Sequence, residues 1–375
     1  MLEFIHIKPN KTISSNRRES FGDIVSDKVL EIVKPEDLSE ILGIFIYGSL
    51  GRNEGALVES EQGIISLYND LDLLFVVQKP LLSLYLEELA DTLKKELSVE
   101  WIDISQKSIS NTRRLRTNIF TYDLRHGSRQ IYGDIGLKDE IPSFQKSSLT
   151  LKDAEVLYYT RLWTFMGSMP TEGFTLQLSK SELVFFKYQM AKAVLAVVDS
   201  ILLRHKMYSV SYSDRVNTIS KICPGDKDFV RLARWALNVK LEPCDKLMSP
   251  TEVCELYVRV AKLFLKEFFE CLSEYYNKKI HSTHDLISGW RWKQSEIINY
   301  LKHFILTGSK NYFLISQNRI NQSMLLELII LRLEKLDDNA LAIEEISNYM
   351  GLRSNVDMIE LNRRRIYLSK IRNNL

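Results

Sequence analysis

The stretch Ile41–Arg52, Ile-Leu-Gly-Ile-Phe-Ile-Tyr-Gly-Ser-Leu-Gly-Arg, decides how this chain is read. Residues 41 to 47 are apolar and rich in β-branched and aromatic types, so they predict a buried strand. The strand runs into Gly48 and Ser49, with Gly51 and Arg52 just beyond. Glycine has no Cβ, so backbone N–H groups at such a turn can come close to an anionic ligand. Ser49 adds a hydroxyl and Arg52 a planar cation. A glycine turn after a strand is common, and alone it carries little functional weight.

Two later stretches give it weight. In Asn69-Asp70-Leu71-Asp72-Leu73-Leu74 the two acids stand at i and i+2 at the start of a second strand, so they share a face. Adjacent carboxylates repel unless a cation lies between them, and Mg²⁺ suits a few carboxylates combined with phosphate oxygens. The plainer alternative is a solvated strand end. The apolar run Leu73–Val77 instead places these acids at the mouth of a buried strand. In Trp101-Ile102-Asp103-Ile104, one acid sits inside a short apolar strand over Val99–Ile104. A buried carboxylate is costly unless it is paired or metal-bound. Asp103 therefore reads either as a third metal ligand or as a partner of backbone N–H groups, Arg113 or Arg129. Glu100 precedes the strand proper, Trp101–Ile104, and is the weaker candidate.

Taken in order, strand, Gly-Ser, Asp-x-Asp and apolar-Asp-apolar resemble the DNA-polymerase-β-type nucleotidyltransferase superfamily, in particular its bacterial aminoglycoside-type and minimal members. The positions are filled by Tyr47-Gly48-Ser49, Asp70-Leu71-Asp72 and Ile102-Asp103-Ile104. The stretch Asp123–Gly133 resembles the family's G-x-x-[LI]-Y-G ending, and the match spans residues 40–135. The resemblance implies a Mg²⁺-dependent enzyme that uses an NTP. Asp70, Asp72 and Asp103 would be the catalytic, metal-holding carboxylates, and Gly48, Ser49 and Arg52 would bind the nucleotide. One departure is the length of Glu54–Asn69, which predicts either a loop over the site or an added strand at Gly63–Leu67.

The rest of the chain is read around that core. Residues 1–22 read as a loosely held arm, followed by a helix over Ile24–Val33. Leu81–Leu97 has helical periodicity. Asn118–Leu124 and Ser128–Tyr132 bracket His126-Gly127 and read as two strands or as one bent strand. Helices are then predicted at Leu151–Gly167, Lys180–Lys206, Asp228–Val239, Thr251–Asn277, Gln294–Leu306 and Gln322–Leu336, with prolines between or at their starts. The fold class expected is α+β, a small mixed-sheet nucleotidyltransferase core followed by a mostly helical C-terminal region. The expected division is an arm at 1–22, a catalytic domain at 23–145, a helical substrate-binding domain at 146–280 and a C-terminal helical region at 281–375.

On the helix Lys180–Lys206, Gln189, Lys192 and Asp199 share a stripe. By resemblance Lys192 would hold the triphosphate, which places the active cleft between the core and this helix. The plainer reading is a Lys192–Asp199 pair or a solvated stripe. Tyr208–Arg215 reads either as an acceptor wall or as a capping turn with Ser213 starting the next helix. His281 and His284 read as surface loop. Ala342–Asn355 and the arginine-rich Leu361–Arg372 faintly resemble a helix-turn-helix, against the plainer reading of a helical cap.

Composition bounds the partners. A net charge of +2 supplies no general nucleic-acid footprint, so the acceptor expected is a small molecule, with a protein side chain or RNA next. The 4 cysteines form no C-x-x-C pair and read as reduced thiols. The N-terminus lacks the apolar run of a signal peptide, and no stretch is long and apolar enough for a membrane span, so a cytoplasmic protein is expected. The alternative to an enzyme is a degenerate nucleotidyltransferase fold that senses a nucleotide or binds a partner, against which the three carboxylates count.

Overall fold

The computed structural model describes residues 15–33, 39–59, 65–68, 70–99, 101–167, 177–243, 246–282 and 285. The chain divides into two compact units, one of residues 1–153 and 180–247, the other of 154–179 and 248–375. The architecture is α+β.

The first unit opens with α1 (Ser15–Ile32) and β1 (Ile41–Tyr47), which passes directly into the short turn α2 (Gly48–Gly51). β2 (Leu57–Glu59) and β3 (Ile65–Leu67) form a small antiparallel pair. Then come β4 (Leu71–Val77), α3 (Ser83–Leu97), β5 (Ile102–Ser108), α4 (Ile109–Thr112), α5 (Ile119–Gly127), β6 (Arg129–Tyr132) and α6 (Leu137–Glu140). The main sheet has the order β5-β4-β1-β6. β1 runs antiparallel to β4 and β6, whereas β4 and β5 are parallel.

The sheet's two faces follow the period of two along each strand. On one face Ile44, Ile46, Leu71, Leu73 and Phe75 pack with Val25 and Val29 of α1 and Leu89 and Leu93 of α3. On the other, Phe45, Leu74 and Val76 pack with Leu124, Leu137 and Ile141. Asp70 and Asp72 lie on the second face, beyond the end of its apolar cluster.

Among the described residues, five further α-helices follow. α7 (Leu151–Gly167) begins in the first unit and continues into the second. The first unit also holds α8 (Lys180–Arg204), α9 (Tyr212–Ile222) and α10 (Lys227–Leu241). α8 is buried almost throughout, which explains why its apolar residues surround the helix and leave no clean polar face. In the second unit α7 packs on α11 (Pro250–Tyr276) through Tyr158, Phe165, Tyr257, Phe264 and Phe268. The start of α11 is fixed by a capping box between Ser249 and Glu252, with Pro250 at its first turn.

Several local expectations are corrected. The polar stretch before residue 22 is helical from Ser15, and Arg18 within it is buried, donating to the carbonyls of Gly55 and Leu241 at 3.3 Å each. The strand expected at Asn118–Leu124 is the helix α5. Asn118 caps it by accepting from the Thr121 amide at 2.7 Å, and Thr121, Leu124 and Gly127 recur every third residue on its buried side. The third strand is shifted to Ile102–Ser108. Glu100, Thr283, His284 and the segments Gln294–Leu306, Gln322–Leu336 and Ala342–Asn355 lie outside the described residues.

Candidate active site

The end of β1 and the starts of β4 and β5 meet in one row. Tyr47 is paired with Asp72 across the antiparallel β1–β4 ladder, and Asp72 with Asp103 across the parallel β4–β5 ladder. Side chains directly opposite each other share a sheet face, so Tyr47, Asp72 and Asp103 form a line across three strands. Asp70, two residues before Asp72, falls on the same face. Asp72 is half-buried, while Asp70 and Asp103 are exposed.

Electrostatics mark Asp72 as the centre of the row. Its carboxyl is pushed up to about 7, by burial first, then by the charges of Asp70 and Asp103, while Lys240 and Arg52 act the other way. Tyr47 is pushed up to about 12, mainly by burial and further by all three carboxylates, although a hydrogen bond with Ser105 opposes this. The neighbouring carboxylates that help to raise Asp72 concentrate negative charge at this edge of the sheet. Among the described residues, no group of three His, Cys, Asp or Glu side chains is gathered closely enough to hold a metal ion. Asp103 is not the buried acid that its apolar neighbours suggested. β5 is an edge strand with only partial cover, so its carboxylate reaches water. The arginines considered for it are engaged elsewhere, Arg113 with Glu140 at 2.6 Å and Arg129 with Asp23.

Gly48 closes on this row from above. Its φ is +68°, in the left-handed region, and a Cβ there would collide with the Asp72 carboxylate. The turn therefore requires glycine for two separate reasons. Ser49 is buried, and its carbonyl accepts from the Glu54 amide at 2.8 Å. Arg52 is not a free fork. Its guanidinium lies 3.2 Å from Asp123 and 3.7 Å from Glu54, and stacks 5.0 Å from the Tyr212 ring centroid.

α8 and α10 each bring a lysine to the ring of Tyr188. Lys192 of α8 lies 4.9 Å from the Tyr188 ring centroid, and Tyr188 meets Tyr68 edge-on at 5.4 Å. The Lys192–Asp199 pair considered above does not form. Asp199 is buried and accepts both of its 3.1 Å bonds from Arg215. Gln189 is also buried. α9 is capped by Ser211, not Ser213, with Ser211 accepting from the Asp214 amide.

The residue that sequence reasoning missed is Lys240. It is 4% exposed, donates to the Tyr188 hydroxyl, and lies 4.7 Å from the Tyr188 ring and 5.9 Å from that of Tyr212. Its charge reaches Asp72. The available signal was its spacing: Ala233, Ala236 and Lys240 fall at i, i+3 and i+7 on the buried side of α10. A lysine on an apolar stripe is rarely buried without a partner.

Among the described residues, no helix is long and apolar enough to cross a membrane. No family model matches the chain, and no curated protein matches it. Among solved structures, the chain is similar to spectinomycin adenyltransferase AAD(9) from Enterococcus faecialis with ATP and spectinomycin, at 14% identity and a TM-score of 0.41, covering 66% of this chain and 98% of that one.

Proposed function

We propose that the chain is a Mg²⁺-dependent nucleotidyltransferase that moves a nucleoside monophosphate from an NTP to an acceptor hydroxyl, releasing pyrophosphate. The observation that carries this reading is the row Tyr47–Asp72–Asp103 beneath Gly48, with Asp72 pushed up to about 7 by burial and by its two acidic neighbours. Sites that crowd carboxylates at the mouth of a sheet are suited to phosphoryl transfer, where positioning and charge neutralisation dominate catalysis.

In this reading Asp70, Asp72 and Asp103 would hold Mg²⁺, which would neutralise charge on the phosphates. The chain's own groups do the rest. Gly48 leaves the backbone open beside Asp72, and Ser49 offers its hydroxyl toward the phosphate chain. Lys240 and Lys192 are the cations offered to the leaving pyrophosphate, while Arg52 contributes its charge from its place between Asp123 and Glu54. Asp103, exposed at the sheet edge, takes the acceptor's proton. The acceptor oxygen forms a bond to the α-phosphorus as the bond from that phosphorus to the β-bridging oxygen breaks.

A small-molecule acceptor fits the near-neutral charge of the chain. The test is incubation with each NTP labelled at the α-phosphate, Mg²⁺ and a panel of hydroxylated small molecules, proteins and RNA. Transfer of label onto a small molecule supports the reading. Nucleotide binding with no transfer to any acceptor would favour the sensing alternative.

A further inference from the structure

Asp123, on α5, is shared by two arginines from distant parts of the first unit. It accepts from Arg52 at 3.2 Å, from Arg215 at 3.1 Å, and from the Tyr208 hydroxyl at 3.1 Å. Arg215 is fully enclosed at 2% exposure. Its guanidinium donates to Asp199, to Asp123, and to the carbonyls of Ser209 and Val210, so every nitrogen of the fork is engaged. Its faces meet Tyr208 at 4.3 Å and Tyr212 at 4.7 Å.

A second carboxylate repeats the connection. Glu54 accepts from the Ser211 hydroxyl at 2.9 Å and from the amides of Tyr212 and Ser213 at 2.9 and 3.2 Å, and pairs with Arg52. Arg52 is thus gripped between Asp123 and Glu54, and both carboxylates are tied to the segment Tyr208–Arg215. Breaking one partner of a buried ion pair leaves an uncompensated charge, so the arrangement is costly to disturb. The turn that carries Gly48 and Ser49 ends at Arg52–Glu54, within this grip.

We propose that Arg215 is a positioning residue: through Asp123 it fixes Arg52, and with it the turn Gly48–Glu54, against the start of α9. It touches no phosphate itself. Its planar fork satisfies two carboxylates at once, which the point charge of a lysine does not reproduce. The consequence for nucleotide binding rests on the function proposed above; the positioning does not.

The experiment separates the two. Hydrogen exchange would be followed at the Asn53 and Glu54 amides, which bond to the Leu50 and Ser49 carbonyls at 3.0 and 2.8 Å. The affinity of the same proteins for a fluorescent ATP analogue with Mg²⁺ would be measured in parallel. Arg215→Lys and the milder Asp123→Asn would be compared with the unaltered chain. Both variants are expected to exchange about tenfold faster at these amides, and to bind the analogue about tenfold more weakly, the size of one lost charged hydrogen bond. Unchanged exchange at Asn53 and Glu54, with loosening confined to α8 and α9, would overturn the positioning claim and leave Arg215 a stabiliser of those helices. Should the unaltered chain bind neither this analogue nor the corresponding analogues of GTP, CTP and UTP, the functional reading fails, and the exchange data still decide the role of Arg215. If Arg215→Lys does not fold, Asp123→Asn carries the test.

Discussion

Asp72 and Asp103 are register partners on adjacent parallel strands, with both carboxylates on one face of the sheet. Folding brings these like charges together and partly buries one of them. The Asp72 carboxyl accordingly rises from 3.8 to about 7, through burial first and then Asp70 and Asp103. A carboxyl whose pKa is higher in the folded than in the unfolded state is bound more tightly to its proton when folded. Its contribution thus favours folding most at low pH and is lost as pH rises between 3.8 and about 7. Asp72→Asn should remove that dependence. With divalent cations chelated, the variant should gain stability over the unaltered chain as pH rises through this window, then hold a constant advantage. Urea unfolding across the window measures it, and a difference that does not change with pH would contradict the crowding of these acids.

Gly48 is the position least able to accept a side chain. Its φ of +68° strains any L-residue, and the Asp72 carboxylate occupies the space a Cβ would need. Gly48→Ala should therefore cost about 1–3 kcal/mol of stability and displace Asp72 as well. The expected result is a folded protein with a lower melting temperature and no turnover. Unaltered stability and turnover in this variant would mean that the turn can relax away from the carboxylate.

The two lysines at Tyr188 should separate by burial. Lys192 is half-buried, so Lys192→Ala should weaken nucleotide binding with little loss of stability. Lys240 is enclosed, so Lys240→Met should weaken binding by about tenfold or more, since a charged contact is removed. Calorimetric titration with an NTP and Mg²⁺ checks both. If both variants bind as tightly as the unaltered chain, the phosphates must be held elsewhere, and Lys240 serves only to balance Asp72.

How much of this was legible in the sequence depended on whether the signal was local. The strand Ile41–Tyr47, the turn at Gly48 and the acids at Asp70 and Asp72 are contiguous patterns, and the α+β class follows from them and from the helical periodicity beyond residue 150. The strand expected at Asn118–Leu124 failed because a cap at Asn118 outweighs the β-branched and aromatic residues that follow. Asp103 sits between two isoleucines, which suggested burial, but sheet order, which no local pattern encodes, makes β5 an edge. For Lys240 the spacing marks burial but not its partner, and for Arg215 no local pattern marks either. Their partners, Tyr188, Asp199 and Asp123, lie on other elements, and only the packing of α5, α8, α9 and α10 brings them together.

The central claim is that the carboxylate row drives nucleotidyl transfer, and pyrophosphate release tests it most directly. Purified protein would be incubated with an NTP, Mg²⁺ and a pool of hydroxylated small molecules, beside Asp72→Asn and beside a sample with Mg²⁺ chelated. The account predicts steady release of pyrophosphate by the unaltered chain, loss of it by at least a hundredfold in Asp72→Asn, on the order of an electrostatic catalytic group, and none without the metal. Release that persists undiminished in Asp72→Asn, or that ignores Mg²⁺, would contradict it.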